Sequence, residues 1–590
     1  MAMPIIERLE RLDKRERKGK LMSAPEAVQL VRPGSAVHLA TTHSVPFGLT
    51  YELTRQFWGR RPSFQLVTLG ASVNVQVMLR DPGFLQRVIT SYAGNVYPAP
   101  SPATVFQENY RSRNVTIENW SLLTLVQRLM AASLGLPFVP TNSLSGSGME
   151  TENAGTGIAK VSNPFVDGDQ LVVSALAPDY TLVHGWAADT SGNVLARPPW
   201  TESNYGAMAA REGVIASVDR IVSSEFVTAH NDDLLIPSSQ CIAVVDMPYG
   251  AHPSPCRGYP PEWGYSEDEQ FLLDFRKSSK DLAKLDAWAK EWVLTTDQAG
   301  YLKKLGLARL KLLRERALPD AWKEQTSNVM KSLDMNVPLR PVEQMVLAMA
   351  HVCTEQVRAK GYRSILAGQG TSNLSAWMAY YMLAEEGIDV DLMAEIGLYG
   401  YSPRPSQPLI FNSANISTCT GLGSTLDVLG TQVSGARRQK CIGMLGAAIV
   451  DQYGNVDSTC VPEMKTWLLG SGGANDVMSG AAEIVLCCPH DAQRLWPQVP
   501  YVTGLGNRVT ALVTTRAVFR KPAGGGSFVL DALIPPKDSD DHISEALIAD
   551  IRENTGWELE VSAGVRTLPL PKPEDLQLLR AFDPECHYLR

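Results

Sequence analysis

One short pattern, met twice at distant points, constrains this chain more than any other. The segments LVHGWAADTSGNVL, with Asp189, Gly192 and Asn193, and MLGAAIVDQYGNVDST, with Asp451, Gly454 and Asn455, each run from an apolar, strand-like stretch into Asp-x-x-Gly-Asn. An Asp side chain accepts hydrogen bonds from amides two residues on, and Gly and Asn tolerate positive φ. Both strands are therefore predicted to stop in the same tight turn.

Two further correspondences flank it. VRPGSAVHLATTHSVPFGLTYELTRQF (31–57) and VRAKGYRSILAGQGTSNLSAWMAYYMLAEEG (357–387) each give a short β-rich run, a small-residue turn and an apolar-periodic helix. REGVIASVDRIVSSEF and LGNRVTALVTTRAVFR both read as alternating strands. The order is kept, so the predicted fold class is α/β, with two related open-sheet units on one chain. The first unit is placed at 1–261 and the second at 336–590, joined by a charged helical junction at 262–335. That junction holds too many Leu, Phe and Trp side chains for a free linker and is expected to pack on the units.

Composition excludes several classes. The chain has 590 residues, of which 44% are apolar and 20% charged, enough for large cores. A formal net charge of −8 leaves no basic footprint for nucleic acid. The charge runs RLDKRERKGK and KKLGLARLKLLRER read as solvated helix faces. The N-terminus lacks the apolar core of a signal peptide and no run reaches the length of a membrane span, so a soluble cytoplasmic protein without a membrane partner is expected. The nine cysteines, scattered and odd in number, read as free thiols, and the adjacent Cys487 and Cys488 as small buried hydrophobes. No spacing suggests a metal site.

Chemistry concentrates in the second unit. LMAEIGLYGY places one carboxylate, Glu395, in an apolar run, where it must be paired, protonated or used. The first unit has Thr68 and Leu69 near the corresponding place, so the carboxylate is asymmetric. In LLGSGGANDVMSGAAEIVL (468–486), Gly470, Gly472 and Gly473 leave backbone amides unshielded, suited to an anion or to the oxyanion of an attacked carbonyl; Asn475 and Asp476 would fix the loop. The turn LAGQGTSNLSAW, with Gly368, Gly370 and Asn373 before a helix, is a second amide-rich place, suited to phosphates or a pantetheine amide. In HLATTHSVPFG the polar turn Thr41, Thr42, His43 and Ser44 either faces solvent or contacts substrate.

On these residues the chain resembles the family I CoA-transferases, and within them the glutaconate CoA-transferase branch, with the two subunits fused. The strand bearing Glu395 followed by Gly397, the VDQYGNVDST turn and the GSGGAND loop resemble the second subunit, and SNPFVDGDQLVVSALAPDYTLVHGWAADTSGNV and MPYGAHPSPCRGY resemble the first. The resemblance implies ping-pong transfer of CoA between carboxylic acids, with Glu395 as nucleophile through an acyl-glutamyl anhydride and a glutamyl-CoA thioester. It assigns the oxyanion or CoA loop to Gly472, Gly473, Ala474 and Asn475, CoA contacts to Gly368, Gly370 and Asn373, and substrate contacts to Thr42, His43 and Ser44. It implies coenzyme A as substrate with no permanently bound cofactor and no metal, and acyl-CoA and carboxylate partners; family habit favours a homodimer, while the fused chain, which supplies both halves of a site, also allows a monomer. The chain departs from the family at Ala40-Thr41-Thr42-His43, where a Gly-Gly-Phe-Gly-like turn is usual. Two other readings use the same residues: an acyl-CoA hydrolase, if water reaches the thioester, and a CoA-ester-binding protein without catalysis.

Overall fold

The computed structural model describes residues 3–13, 19–41, 43–535 and 545–590. Thr42 and part of the RLDKRERKGK run lie outside the described residues.

Two parallel sheets carry the architecture. The first runs in the order Cys241–Asp246, Gly213–Val218, Tyr180–Gly185, Ala36–Leu39, Phe64–Val67, Leu85–Thr90, Thr116–Asn119. The second repeats that order in its parallel part, Val509–Thr514, Glu483–Cys488, Cys441–Gly446, Ser364–Ala367, Asp391–Ala394, and adds antiparallel strands at both edges. The duplication is therefore one of topology.

Both Asp-x-x-Gly-Asn turns close alike. Asp189 Oδ1 accepts the Asn193 amide at 2.9 Å and Oδ2 accepts Asn193 Nδ2 at 2.8 Å; Asp451 does the same with Asn455, at 2.9 Å for both. Gly192 and Gly454 supply φ of +96° and +75°. One sequence-based correspondence is shifted by a strand. The sequence pattern pairs REGVIASV with LGNRVTALVT, but Gly213–Val218 takes the sheet position of Glu483–Cys488, while Val509–Thr514 takes that of Cys241–Asp246. Strands covered on both faces carry continuous apolar runs with no alternation to set their alignment, and Gly213–Val218 is buried at every position.

The junction is helical and packs on both units, its helix Ala321–Ser332 meeting the second where Arg404 lies 4.4 Å from the Trp322 ring. Phe271 sits 5.0 Å from His252, 5.6 Å from Trp288 and 5.0 Å from Trp292 between ring centroids, and Tyr301 is 6.1 Å from Tyr51. Each such ring buried contributes about 1.5–3 kcal/mol, which accounts for the aromatic content of this segment. Among the described residues no disulfide forms, and no helix is long and apolar enough to cross a membrane.

Candidate active site

Glu395 is the first residue after the strand Asp391–Ala394, as Thr68 is after Phe64–Val67. Its turn is forced by Gly397, at φ +113°, where a Cβ would stand 2.3 Å from the Gly423 carbonyl oxygen. The side chain is partly exposed, but Oε2 is buried without a hydrogen bond and no cation pairs with it among the described residues. Burial pushes its pKa up to about 7.

The glycine loop meets this carboxylate. A Cβ on Gly473 would lie 3.6 Å from Glu395 Cβ and 3.4 Å from Leu122 Cδ1, so the loop of the second unit passes over Glu395 beside the helix Leu122–Ser133 of the first. The loop is pinned across the unit boundary. Ala93 donates its amide to Leu469 O at 2.7 Å, Gly472 to Ser91 O at 2.8 Å, and Leu122 to Gly472 O at 3.0 Å. The Asp476 carboxylate accepts Ser121 Oγ at 2.6 Å and the Leu123 amide at 2.9 Å; Asn475 Oδ1 accepts the Leu144 amide at 2.8 Å and Nδ2 donates to Thr503 O at 2.8 Å. Gly470 has φ +100°, and a Cβ there would stand 2.6 Å from Ser91 O.

These bonds narrow the expected oxyanion donors. The Gly472 amide is spent on Ser91 and the Ala474 amide on Ser471 O at 3.1 Å, leaving that of Gly473 without an acceptor among the described residues. Asn475 holds the loop with both ends of its amide. Ser471, which the sequence pattern does not single out, has Oγ buried without a partner in the same loop; an unshielded glycine run draws attention away from the hydroxyl inside it.

The Gly368–Gly370 turn is likewise closed on itself. Gly368 donates to Met444 O at 3.0 Å, Gly370 to Asn373 Oδ1 at 2.8 Å, and Asn373, fully buried, donates to Pro408 O at 3.2 Å. Asn373 thus takes the Gly370 amide and the neighbouring strand that of Gly368.

A cavity of about 250 Å³ opens at Ile396, next to Glu395. Thr41 and His43 of the polar turn line it with Ser72, Tyr97, Phe275 and Phe411. Thr41 and His43 thus face inward. His43 is buried and held neutral, its pKa pushed down to about 3 by burial and by Arg257. Ser44 is buried beside Cys256. The wall also carries Arg276, from the junction helix Glu269–Ser278, which donates to Ser101 Oγ at 2.8 Å and forms no ion pair among the described residues. Glu267 lines it too, its oxygens accepting Gln407 Nε2 at 2.7 Å and Ser413 Oγ at 2.6 Å.

One His/Asp/Cys group, His184, Asp219 and Cys256, brings its candidate metal-ligand atoms within 4.8 Å of one another. Hydrogen bonds account for its placement: His184 Nδ1 to Ser217 Oγ at 2.9 Å, and the Tyr249 amide to Asp219 Oδ1 at 2.6 Å.

Comparison with known proteins agrees with the duplication. The sequence model of the Coenzyme A transferase family matches residues 21–247. One of the two subunits of glutaconate CoA-transferase from Acidaminococcus fermentans is 29% identical over 313 residues, 49% of this chain and 93% of that one. The other subunit of the same enzyme is 25% identical over 242 residues, 38% of this chain and 86% of that one. An acyl-CoA transferase of Escherichia coli O157:H7, solved as a thioester complex with CoA, shares the fold over 96% of both chains with a TM-score of 0.62 at 14% identity. Residues 21–247 thus match the coenzyme A transferase family, and regions similar to both glutaconate CoA-transferase subunits lie on this single polypeptide.

Proposed function

We propose that this protein transfers CoA between carboxylic acids with Glu395 as the nucleophile. The observation that carries the reading is an unpaired, desolvated carboxylate packed against Gly473 of the glycine loop, one residue from Ile396 in the wall of a cavity between the two units. A carboxylate that has lost part of its hydration and is held in place is a competent nucleophile toward a thioester.

Glu395 attacks the thioester carbonyl, the carbon–sulfur bond breaks, and CoA leaves as thiolate, giving an acyl-glutamyl anhydride. The thiolate then attacks the glutamyl carbonyl, the first acid departs as carboxylate, and CoA is held as a thioester on Glu395. An acceptor carboxylate reverses both steps. Each attack places negative charge on a carbonyl oxygen, and the Gly473 amide is the donor free to receive it, an interaction of a few kcal/mol. Neutral His43 lines the cavity without contributing charge. The cavity's volume lies just below the roughly 300–1,000 Å³ of pockets for drug-sized ligands, which suits an acyl group and not a whole CoA.

Glutaconate, which gives two of the relatives their name, is a dicarboxylic acid. Arg276, a guanidinium without a carboxylate partner in an otherwise largely apolar cavity, is suited to the distal carboxylate of such an acyl group. The test is mass spectrometry after incubation with dicarboxylic acyl-CoA esters. A CoA adduct on the peptide containing Glu395, absent in Glu395→Ala, is expected. Turnover unchanged in Glu395→Ala overturns the proposal, and CoA release that no acceptor acid diverts identifies hydrolysis.

A further inference from the structure

We propose that Arg257 and Arg197 form a second carboxylate site, separate from the cavity at Ile396, which takes a small free organic acid. Both guanidinium groups line a cavity of about 210 Å³ enclosed by the first unit, the junction at Pro319 and the helix Ser413–Ile416.

The Arg257 guanidinium has no counter-ion in contact with it from within. Arg257 donates to the Pro198 carbonyl and forms no ion pair among the described residues. Burial and the neighbouring Arg197 push its pKa down to about 10. Arg197 has Nε 3.4 Å from Asp233 Oδ1, without a hydrogen bond, and lies over the Tyr259 ring at 5.6 Å. Two cations thus face one carboxylate. The nearby thiols do not change this count, because burial raises Cys419 to about 12 and Cys256 well above its usual value, keeping both protonated. Two further carboxylates lie nearby and pair with neither guanidinium: Asp219 beside Cys256, and Glu267, whose oxygens accept Gln407 Nε2 and Ser413 Oγ.

A third group points to a ligand. His43 is 7% exposed, its ring nitrogens make no well-formed hydrogen bond although the Phe411 backbone lies close by, and it lines this cavity as well as the one at Ile396. Neutral imidazole can donate to an anion from one nitrogen. A desolvated guanidinium without a counter-ion is costly, and a carboxylate relieves it with paired, charge-assisted hydrogen bonds. The planar guanidinium fork of Arg257 matches a carboxylate, nearby acids disfavour a phosphate dianion, and the small volume limits the acid's size.

The binding claim does not rest on the transfer chemistry of Glu395. The test uses the full-length protein and butyrate, with binding read by ligand-observed NMR and inorganic phosphate as competitor. Butyrate is expected to bind to the parent protein and to Glu395→Ala alike, with at least a tenfold loss in Arg257→Gln, a loss in Arg197→Gln and retention in Arg257→Lys. Retention in Arg257→Lys shows that the Gln variant lost a charge and not its fold. Failure to bind, equal binding in Arg257→Gln, loss in Arg276→Gln or Glu395→Ala, or stronger binding of phosphate overturns the assignment.

Discussion

Gly473 packs directly on Glu395: a methyl group in place of the Gly473 hydrogen would touch Glu395 Cβ at 3.6 Å and Cγ at 3.7 Å. The two residues are 78 positions apart, the second on a loop that the first unit holds in place through Ser91 and Leu122.

That contact makes Gly473→Ala informative. The backbone there has φ −84°, which alanine adopts, and its methyl meets only ordinary contacts. Stability is expected to change by less than about 1 kcal/mol, while adduct formation falls about tenfold or more because the methyl occupies the space above the nucleophile. Thermal melts and single-turnover adduct kinetics check the pair of outcomes.

Gly397→Ala is expected to behave in the opposite manner. With φ at +113° and the Gly423 carbonyl 2.3 Å from the new Cβ, the substitution strains the backbone and forces it apart. A loss of about 2–5 kcal/mol is expected in denaturant titrations.

The pH dependence follows from Glu395. A pKa near 7 means that adduct formation rises with pH through about 7, following the ionised carboxylate. Stability moves the other way. The folded state holds the proton more tightly than the unfolded chain, whose carboxylate titrates near 4.5, so this group's contribution is full below that value and is lost as pH rises to about 7. Glu395→Gln is accordingly expected to be more stable than the parent at pH 8 by about 1–3 kcal/mol. A flat adduct rate from pH 6 to 8 would contradict the raised pKa.

Asp476→Asn tests the anchoring of the loop. The carboxylate accepts Ser121 Oγ and the Leu123 amide inside the protein, and an amide group cannot accept both as well. A loss of about 1.5–3 kcal/mol is expected, with a lower adduct rate at saturating acyl-CoA because Gly473 is no longer held over Glu395.

Arg276→Gln is expected to weaken the distinction between dicarboxylic and monocarboxylic acyl-CoA esters by about tenfold to a hundredfold in kcat/KM. Equal loss for both classes would remove Arg276 from the substrate pocket.

Local chemistry makes part of this readable from residue order. The Asp-x-x-Gly-Asn turns need only their own atoms, and both close with the same hydrogen bonds; Glu395 stands out because an acid in an apolar strand is anomalous wherever it lies. The strand correspondence after those turns does not hold, since buried parallel strands share one apolar composition and their neighbours are chosen by pairing across the sheet.

The sequence by itself determined the α/β duplication, its turns and the asymmetric carboxylate, because these rest on residue types and short-range spacing. Tertiary structure alone decided which loop amide stays free, since Ser91, distant in sequence, consumes that of Gly472. It also decided that Glu395 is desolvated and unpaired, and that Arg276, Arg197 and Arg257 face cavities. Such properties depend on which atoms from remote segments come within a few ångströms, and no local pattern records that.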